Sequence, residues 1–291
     1  MSNTEKFVLV TGASGMIGSA VSKKLIADGN KIIGVDICDS RIDCEGYVHC
    51  KVNLGDKGQL NEVFKNYNID RVIHLAAIAH AFSNGKVTYE QYYCANVECA
   101  KNVFEVCEEN DIPVLFISTA DVYGFVKGIA DASTVPNPIS DYAKSKVMAE
   151  QVLEGIYGDS ESKYDVFRLA PVYTDEIKRD IQKRYYLKYP NLAYIIGKGS
   201  EYEFLNINTL CERISKWIYD KPANKIFNVK DDVLVSTSKC IYDEKKCGRA
   251  KVVIKVPSWM VKLGFKVIFI LTGKNKYTFL LNKAVNPLRT R

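Results

Sequence analysis

Along the first two-thirds of the chain, apolar positions switch between two spacings. Short, nearly continuous apolar runs read as buried strands: Phe7–Thr11, Lys31–Asp36, Tyr47–Val52, Arg71–Ala76, Val114–Ser118 and Asp165–Leu169. Between them, Ile17–Ala27 places apolar residues at 17, 20, 21, 25 and 26, the spacing of one helix face, and Asp28-Gly29-Asn30 ends it. Leu60–Tyr67, Tyr89–Asn110 and Asp141–Tyr157 are predicted helices as well. Strands separated by helices need crossover connections, so the expected fold class is α/β, with a parallel sheet covered on both faces. After Pro171 the alternation weakens. Val172–Tyr202 is mixed and rich in Tyr, Lys and Arg, Thr209–Tyr219 looks helical, and Lys225–Val229 looks strand-like. The expected division is a large domain over 1–171 and a small C-terminal mixed α/β lobe over 172–291.

Composition narrows the class. With 47% hydrophobic and 25% charged residues, the 291-residue chain has the balance of a globular protein, not of a disordered or collagenous one. No apolar run reaches the roughly 18 residues of a membrane span. The opening MSNTEKF runs straight into a strand, so no signal peptide and a cytoplasmic setting are expected. Nine cysteines form no CxxC pair, and with only three histidines no set has zinc spacing. Reduced thiols and no metal are the expectation. The net charge of +6 hides an asymmetry: residues 245–291 carry twelve Lys or Arg and no Asp or Glu, so the rest of the chain is mildly acidic.

The chemistry begins at TGASGMIG, Thr11–Gly18, which follows a predicted strand and opens a predicted helix. Gly12 would make the tight turn, Gly15 would let the backbone approach a pyrophosphate, and Gly18 would let the helix pack on the strand. Free N–H groups at the helix start, near Met16 and Ile17, favour phosphate oxygens. Asp36 ends the second strand, where a carboxylate accepts from adenosine ribose hydroxyls and repels a 2′-phosphate, so NAD is preferred over NADP; Arg41 nearby softens that preference. These features make the sheet a Rossmann-type, doubly wound one. Asn53 and Leu54 follow the third strand. Asn53 and Asp56 either reach the adenine or form an ordinary turn and helix cap. Leu75, Ala76 and Ala77 would line the cofactor, because small residues at the carboxyl end of a strand let a dinucleotide lie close.

Tyr142 and Lys146 are four residues apart and share one helix face. An ammonium beside a phenol, which titrates near 10 in water, favours the phenolate and so a general base. TGxxGxxG, HLAA at His74–Ala77, Asn96 in the long helix, STADVYG at Ser118–Gly124, YAKSK at Tyr142–Lys146 and RLAPVY at Arg168–Tyr173 occur in an order that resembles the extended short-chain dehydrogenase/reductase family, in its NAD-dependent epimerase/dehydratase branch. The resemblance implies Thr119, Tyr142 and Lys146 as catalytic residues, with Lys146 also on the nicotinamide ribose. It implies Asn96 as a brace of the active-site backbone and a nucleotide-sugar as substrate. Homodimerisation through Tyr89–Asn110 and Asp141–Tyr157 is a further implication. His80 and Ala170 are the weaker substrate-facing candidates.

Three departures qualify the resemblance. Dehydratases of the family carry an Asp after the Ser/Thr, often followed by Glu; here these are Ala120 and Asp121, which disfavours dehydration. Where many epimerases have Asn and Gly, this chain has Ala170 and Thr174. Lys178, Arg179, Lys183 and Arg184 either replace the lost diphosphate contacts or form a solvated face. The C-terminal lobe is also short. Val256–Leu271 (VPSWMVKLGFKVIFIL) mixes aromatics with Lys262 and Lys266; it either lies on an anionic membrane surface, with residues 255–291 as the contact, or packs on the lobe. Nucleic acid is not expected as a partner, because no nucleic-acid motif accompanies the charge. The expected function is an NAD-dependent epimerase of a nucleotide-activated sugar, working through a transient keto intermediate in surface-polysaccharide precursor synthesis. The rivals are an NAD(P)H-dependent reductase of a keto-sugar and a non-catalytic NAD-binding protein docked at a membrane.

Overall fold

The computed structural model describes residues 5–79, 87–126, 128–158, 160–161, 163–273 and 275–291. The chain runs β1 (Phe7–Thr11), α1 (Met16–Ala27), β2 (Lys31–Asp36), β3 (Tyr47–Lys51), α2 (Lys57–Asn66) and β4 (Ile69–His74). It continues with α3 (Tyr89–Tyr93), a π-helical turn (Cys94–Glu98), α4 (Cys99–Glu109), β5 (Val114–Thr119), α5 (Asp141–Tyr157), β6 (Tyr164–Leu169), α6 (Ile207–Tyr219) and β7 (Lys225–Val229). The seven strands form one sheet in the order β7-β6-β5-β4-β1-β2-β3. The pairs from β5 to β3 are parallel, with Leu9 opposite Ile33 on one side and Val72 on the other. This is the Rossmann-type sheet expected from the alternating pattern. All five residues of β1 are buried, which explains why its sequence is apolar without alternation. Strand order reverses between β1 and β4, and the crevice outside the carboxyl ends at such a reversal is where an open α/β sheet takes its ligand.

Element ends differ from the sequence expectation for identifiable reasons. Helix α2 starts at Lys57, not Leu60, because the Asp56 carboxylate accepts from the N–H groups of Gly58 and Gln59 and caps the helix there. Strand β4 stops at His74 because the N–H groups of Leu75 and Ala76 turn to the Thr11 hydroxyl, each at 3.2 Å. The helix expected over Tyr89–Asn110 is divided by the π turn that contains Asn96.

The chain forms two compact units, each assembled from three stretches. The first comprises Met1–Thr119, Asp141–Arg168 and Leu210–Phe227; the second comprises Ala120–Ser140, Leu169–Thr209 and Asn228–Arg291. A single cut at 171 does not reproduce this division, since most of α6 and β7 belongs with the first unit. The cause is polar as well as apolar. The Trp217 indole donates to Asp165 Oδ2 at 3.0 Å, Lys225 N donates to Asp165 Oδ1 at 2.9 Å, and the Arg71 guanidinium lies 5.3 Å from the Trp217 ring centroid.

Within the second unit, the stretch that reads as mixed in sequence is a small sheet, Val252–Val256, Leu192–Ile196 and Tyr186–Lys188 in that order. Its core is aromatic: Tyr185, Tyr186, Tyr202 and Phe204 are buried around Ala193 and Ile241. Helices follow at Ser258–Thr272 and Lys276–Val285. Among the described residues no helix is long and apolar enough to cross a membrane.

Candidate active site

The loop from β1 to α1 is shaped by its glycines. Gly12 sits at φ +66°, and a Cβ there would lie 2.8 Å from Ala76 N. A Cβ on Gly18 would collide with the Gly12 carbonyl oxygen, so helix and loop touch through bare backbone. Gly15 is different: it is exposed, and its Cβ would approach only the Gly12 oxygen, at 3.2 Å. It is also the N-cap of α1 and supplies no side chain to the free N–H groups. Met16 is exposed and Ile17 partly so. Among the described residues no side chain caps these N–H groups, so the exposed start of α1 offers donors that fit a pyrophosphate.

Asp36 is fixed beside this loop. Its Oδ2 accepts from Ser14 N and its Oδ1 from Cys38 N, both at 3.0 Å. The carboxylate is thus held at the end of β2, where an adenosine ribose would lie, and these residues fit a dinucleotide. Arg41 is exposed. Asn53 closes a turn by accepting from Gly55 N at 3.0 Å, and Asp56 caps α2, so the turn-and-cap alternative describes these two residues. The buried Leu54 offers its carbonyl to Asn102. Leu75 and Ala76 are partly buried and Ala77 is exposed at the carboxyl end of β4.

Thr119 ends β5, and Tyr142 and Lys146 lie on α5, which packs against β5. The Tyr142 ring is partly buried, 6.2 Å from that of Tyr92. Lys146 is only 3% exposed, with Nζ 4.4 Å from the centre of the Phe116 ring. Burial lowers its ammonium from the usual lysine range to about 7, against the opposing charge of Glu150. His74 stacks on the same Phe116 ring. Burial first, and the Lys146 charge second, lower His74 to about 3, so it is neutral. Because Thr11 Oγ1 already accepts from two backbone N–H groups, its own hydrogen points to His74 Nδ1 at 2.8 Å. The imidazole proton is then on Nε2.

Two buried networks hold this helix in place. Asn96, 1% exposed, accepts from Ile78 N at 2.7 Å and donates to Ile78 O at 3.0 Å and Ser145 Oγ at 2.9 Å. Ser145 in turn donates to Tyr142 O. The π turn therefore ties the chain after β4 to the helix turn carrying Tyr142, a common use of such turns. Lower on α5, Glu150 receives Arg168 through both carboxylate oxygens, at 3.1 and 2.6 Å, and Ser118 Oγ at 2.5 Å. Glu150, Arg168, Ser118 and Ser145 have no role in the sequence reading. The one hint lay at Arg168, a base in a short strand that is otherwise apolar but for Asp165; Glu150 stands among several other charged residues of α5.

The remaining candidates fall elsewhere. His80 lies outside the described residues. Ala170 is buried in the second unit and lines a cavity of about 40 Å³ with Ala120, Asp121, Arg184, Tyr202 and Lys283. Asp121 is ion-paired to Lys283 at 2.6 Å. The basic cluster divides: Lys178, Arg179 and Lys183 are exposed, whereas Arg184 turns into the cavity, over the Tyr202 ring. Arg184 Nε is buried with no hydrogen-bond partner among the described residues.

Residues 8–199 match the family described as NAD dependent epimerase/dehydratase. The chain is 29% identical over 172 residues to the bifunctional protein GAL10 of Pachysolen tannophilus, a stretch that is 54% of this chain and 25% of that protein. It is 30% identical over 168 residues to the UDP-glucose 4-epimerase uge1 of Schizosaccharomyces pombe, 52% of this chain and 46% of that one. The matched segment thus spans a quarter to about half of these two relatives. The solved structure of UDP-glucose 4-epimerase from Thermus thermophilus, in complex with NAD, aligns with a TM-score of 0.68 at 23% identity over 86% of each chain. At that identity the likeness is one of fold.

Proposed function

The chain belongs to the NAD-dependent epimerase/dehydratase family, and from that premise we propose that it is an epimerase of a nucleotide-activated sugar, with Thr119, Tyr142 and Lys146 as its catalytic residues. The observation that carries the reading is Lys146: a lysine buried to 3% exposure, one helical turn from Tyr142, on a helix tied to the carboxyl end of the sheet through Ser145 and Asn96. Bound NAD would supply the hydride chemistry, accepting a hydride from the sugar carbon and returning it. Gly12, Gly15, Met16, Ile17 and Gly18 would hold its pyrophosphate, Asp36 its ribose, and Leu54, Leu75, Ala76 and Ala77 its flanks.

Tyr142 takes the proton from the sugar hydroxyl. The Lys146 ammonium stabilises the resulting phenolate, in a site where little water competes for that charge. The Thr119 hydroxyl orients the reacting oxygen. Return of the proton by Tyr142 after the keto-sugar turns over completes the inversion with no net oxidation. Dehydration is disfavoured, because the position after Thr119 is Ala120 and the next acid, Asp121, is paired with Lys283. Surface-polysaccharide precursor synthesis is the setting that this chemistry serves.

Incubating the protein with UDP-, GDP- and dTDP-sugars and catalytic NAD tests the reading. The expected result is an isomeric sugar nucleotide without net change in nicotinamide absorbance, reduced about 10³-fold by Tyr142→Phe while NAD binding persists. Stoichiometric consumption of NADH would assign a reductase instead.

A further inference from the structure

The helix Ser258–Thr272 has no buried residue, although most of it is apolar. Its side chains sort cleanly around the axis. At 100° per residue, Trp259, Ile270, Leu263, Val267, Met260 and Leu271 fall in one continuous arc of about 120°. All six are exposed, with Trp259 at 64%, Ile270 at 72% and Leu271 at 76%. The other side, with Val261, Phe265 and Phe269, is partly covered, and Phe269 meets Phe125 edge-on. The helix thus rests on its own unit by one side and turns its more apolar side outward. The strand leading into it does the same, with Val252 at 55% and Ile254 at 42% exposure. A patch of this kind is not the scattered apolar exposure of an ordinary surface.

The charges around the arc identify what covers it. Lys262 and Lys266 border it on one side, Lys255 stands exposed on the preceding strand, and Lys251 stands exposed just before that strand. Residues 245–291 contain no Asp or Glu at all. In a symmetric dimer this face would meet itself, setting lysines against lysines with no Asp or Glu in residues 245–291 to pair them. An anionic bilayer presents acyl chains and negative headgroups in the order the helix requires: apolar arc inward, lysine stems reaching to the phosphates. At about 22 Å, fifteen residues of helix are too short to cross a hydrocarbon core of about 30 Å. We infer that the helix Ser258–Thr272 lies in the plane of an anionic lipid surface and docks the protein there.

The test uses the full chain and vesicles of phosphatidylcholine with or without about a quarter phosphatidylglycerol. Sedimentation with the anionic vesicles is expected to be about tenfold stronger than with the zwitterionic ones, and to weaken as salt is raised. Because Trp217 is buried at 3%, a blue shift of tryptophan emission on anionic vesicles would report Trp259. Leu263→Glu/Ile270→Glu changes only exposed side chains and is expected to abolish sedimentation with an unchanged melting temperature. Lys262→Glu/Lys266→Glu is expected to reduce it about tenfold. No sedimentation with anionic vesicles, or equal sedimentation with both kinds, overturns the inference. So does self-association of the chain that Leu263→Glu/Ile270→Glu removes in the absence of lipid, which would give the face to a second copy. None of these readouts depends on catalysis.

Discussion

Lys146 combines two properties that oppose each other before a ligand arrives: it carries a basic group, and it is buried where a charge is costly. Its ammonium titrates near 7 in the folded chain and near 10.5 when unfolded. Between those values the unfolded chain binds more protons, so this residue makes stability rise with pH from about 7 to about 10.5. Below 7 both states are charged and the burial cost is fully present. Lys146→Met removes that cost while leaving Glu150 paired with Arg168. It is expected to raise the melting temperature at pH 6 by about 3 °C, with the gain vanishing towards pH 10 and activity lost throughout. Thermal melts of both proteins across that range check this; a Lys146→Met protein less stable at pH 6 would contradict the burial argument. The pair Tyr142/Lys146 was legible in the sequence because helical periodicity alone sets two side chains four residues apart on one face. The Glu150–Arg168 clamp was not, because its partners lie on a helix and a strand whose juxtaposition only the tertiary fold decides.

At the scale of elements, the β1–α1 turn separates a folding requirement from a binding one. Gly18 is filled by its own backbone surroundings, so Gly18→Ala forces helix α1 away from the Gly12 carbonyl and is expected to cost about 3 kcal/mol of stability. Gly15 is exposed and an added Cβ meets only the Gly12 oxygen, at 3.2 Å, so Gly15→Ala asks the turn to give slightly and is expected to lower the melting temperature by no more than about 3 °C while weakening NAD binding about tenfold or more, since the methyl occupies the pyrophosphate approach. Calorimetry of unfolding and of NAD titration on the two variants separates the effects. Equal loss of stability in both would refute the distinction. The motif was readable because its spacing is local, with Gly12 and Gly15 in the turn and Gly18 in the first turn of α1, although what bars a Cβ at Gly12 is the backbone of the distant Ala76. The π turn at Cys94–Glu98 left no comparable trace, because its hydrogen bonds to Ile78 and Ser145 join three segments far apart in sequence.

At the scale of the whole molecule, strand and helix order could be read from periodicity, but unit membership could not. Periodicity reports which face of an element is apolar, not which core receives it. The segment Leu210–Phe227 follows a long stretch of the second unit, Leu169–Thr209, yet it returns to the first. There Trp217 is buried, Asp165 binds both the Trp217 indole and the Lys225 amide, and Ser215 donates to Asp28 at 2.6 Å. A chain ending at residue 171 lacks these partners and leaves Asp165, 4% exposed in the intact protein, as a carboxylate without its donors at the edge of an apolar core. That fragment is expected to melt without a cooperative transition, or at least about 10 °C below the full chain, and to bind NAD weakly although it contains the complete glycine motif. Trp217→Phe in the full chain removes the indole donor and part of the buried ring, and is expected to cost about 1–3 kcal/mol. If the 1–171 fragment unfolded as cooperatively as the intact protein, the late segment would be an addition to the first unit and not part of its core.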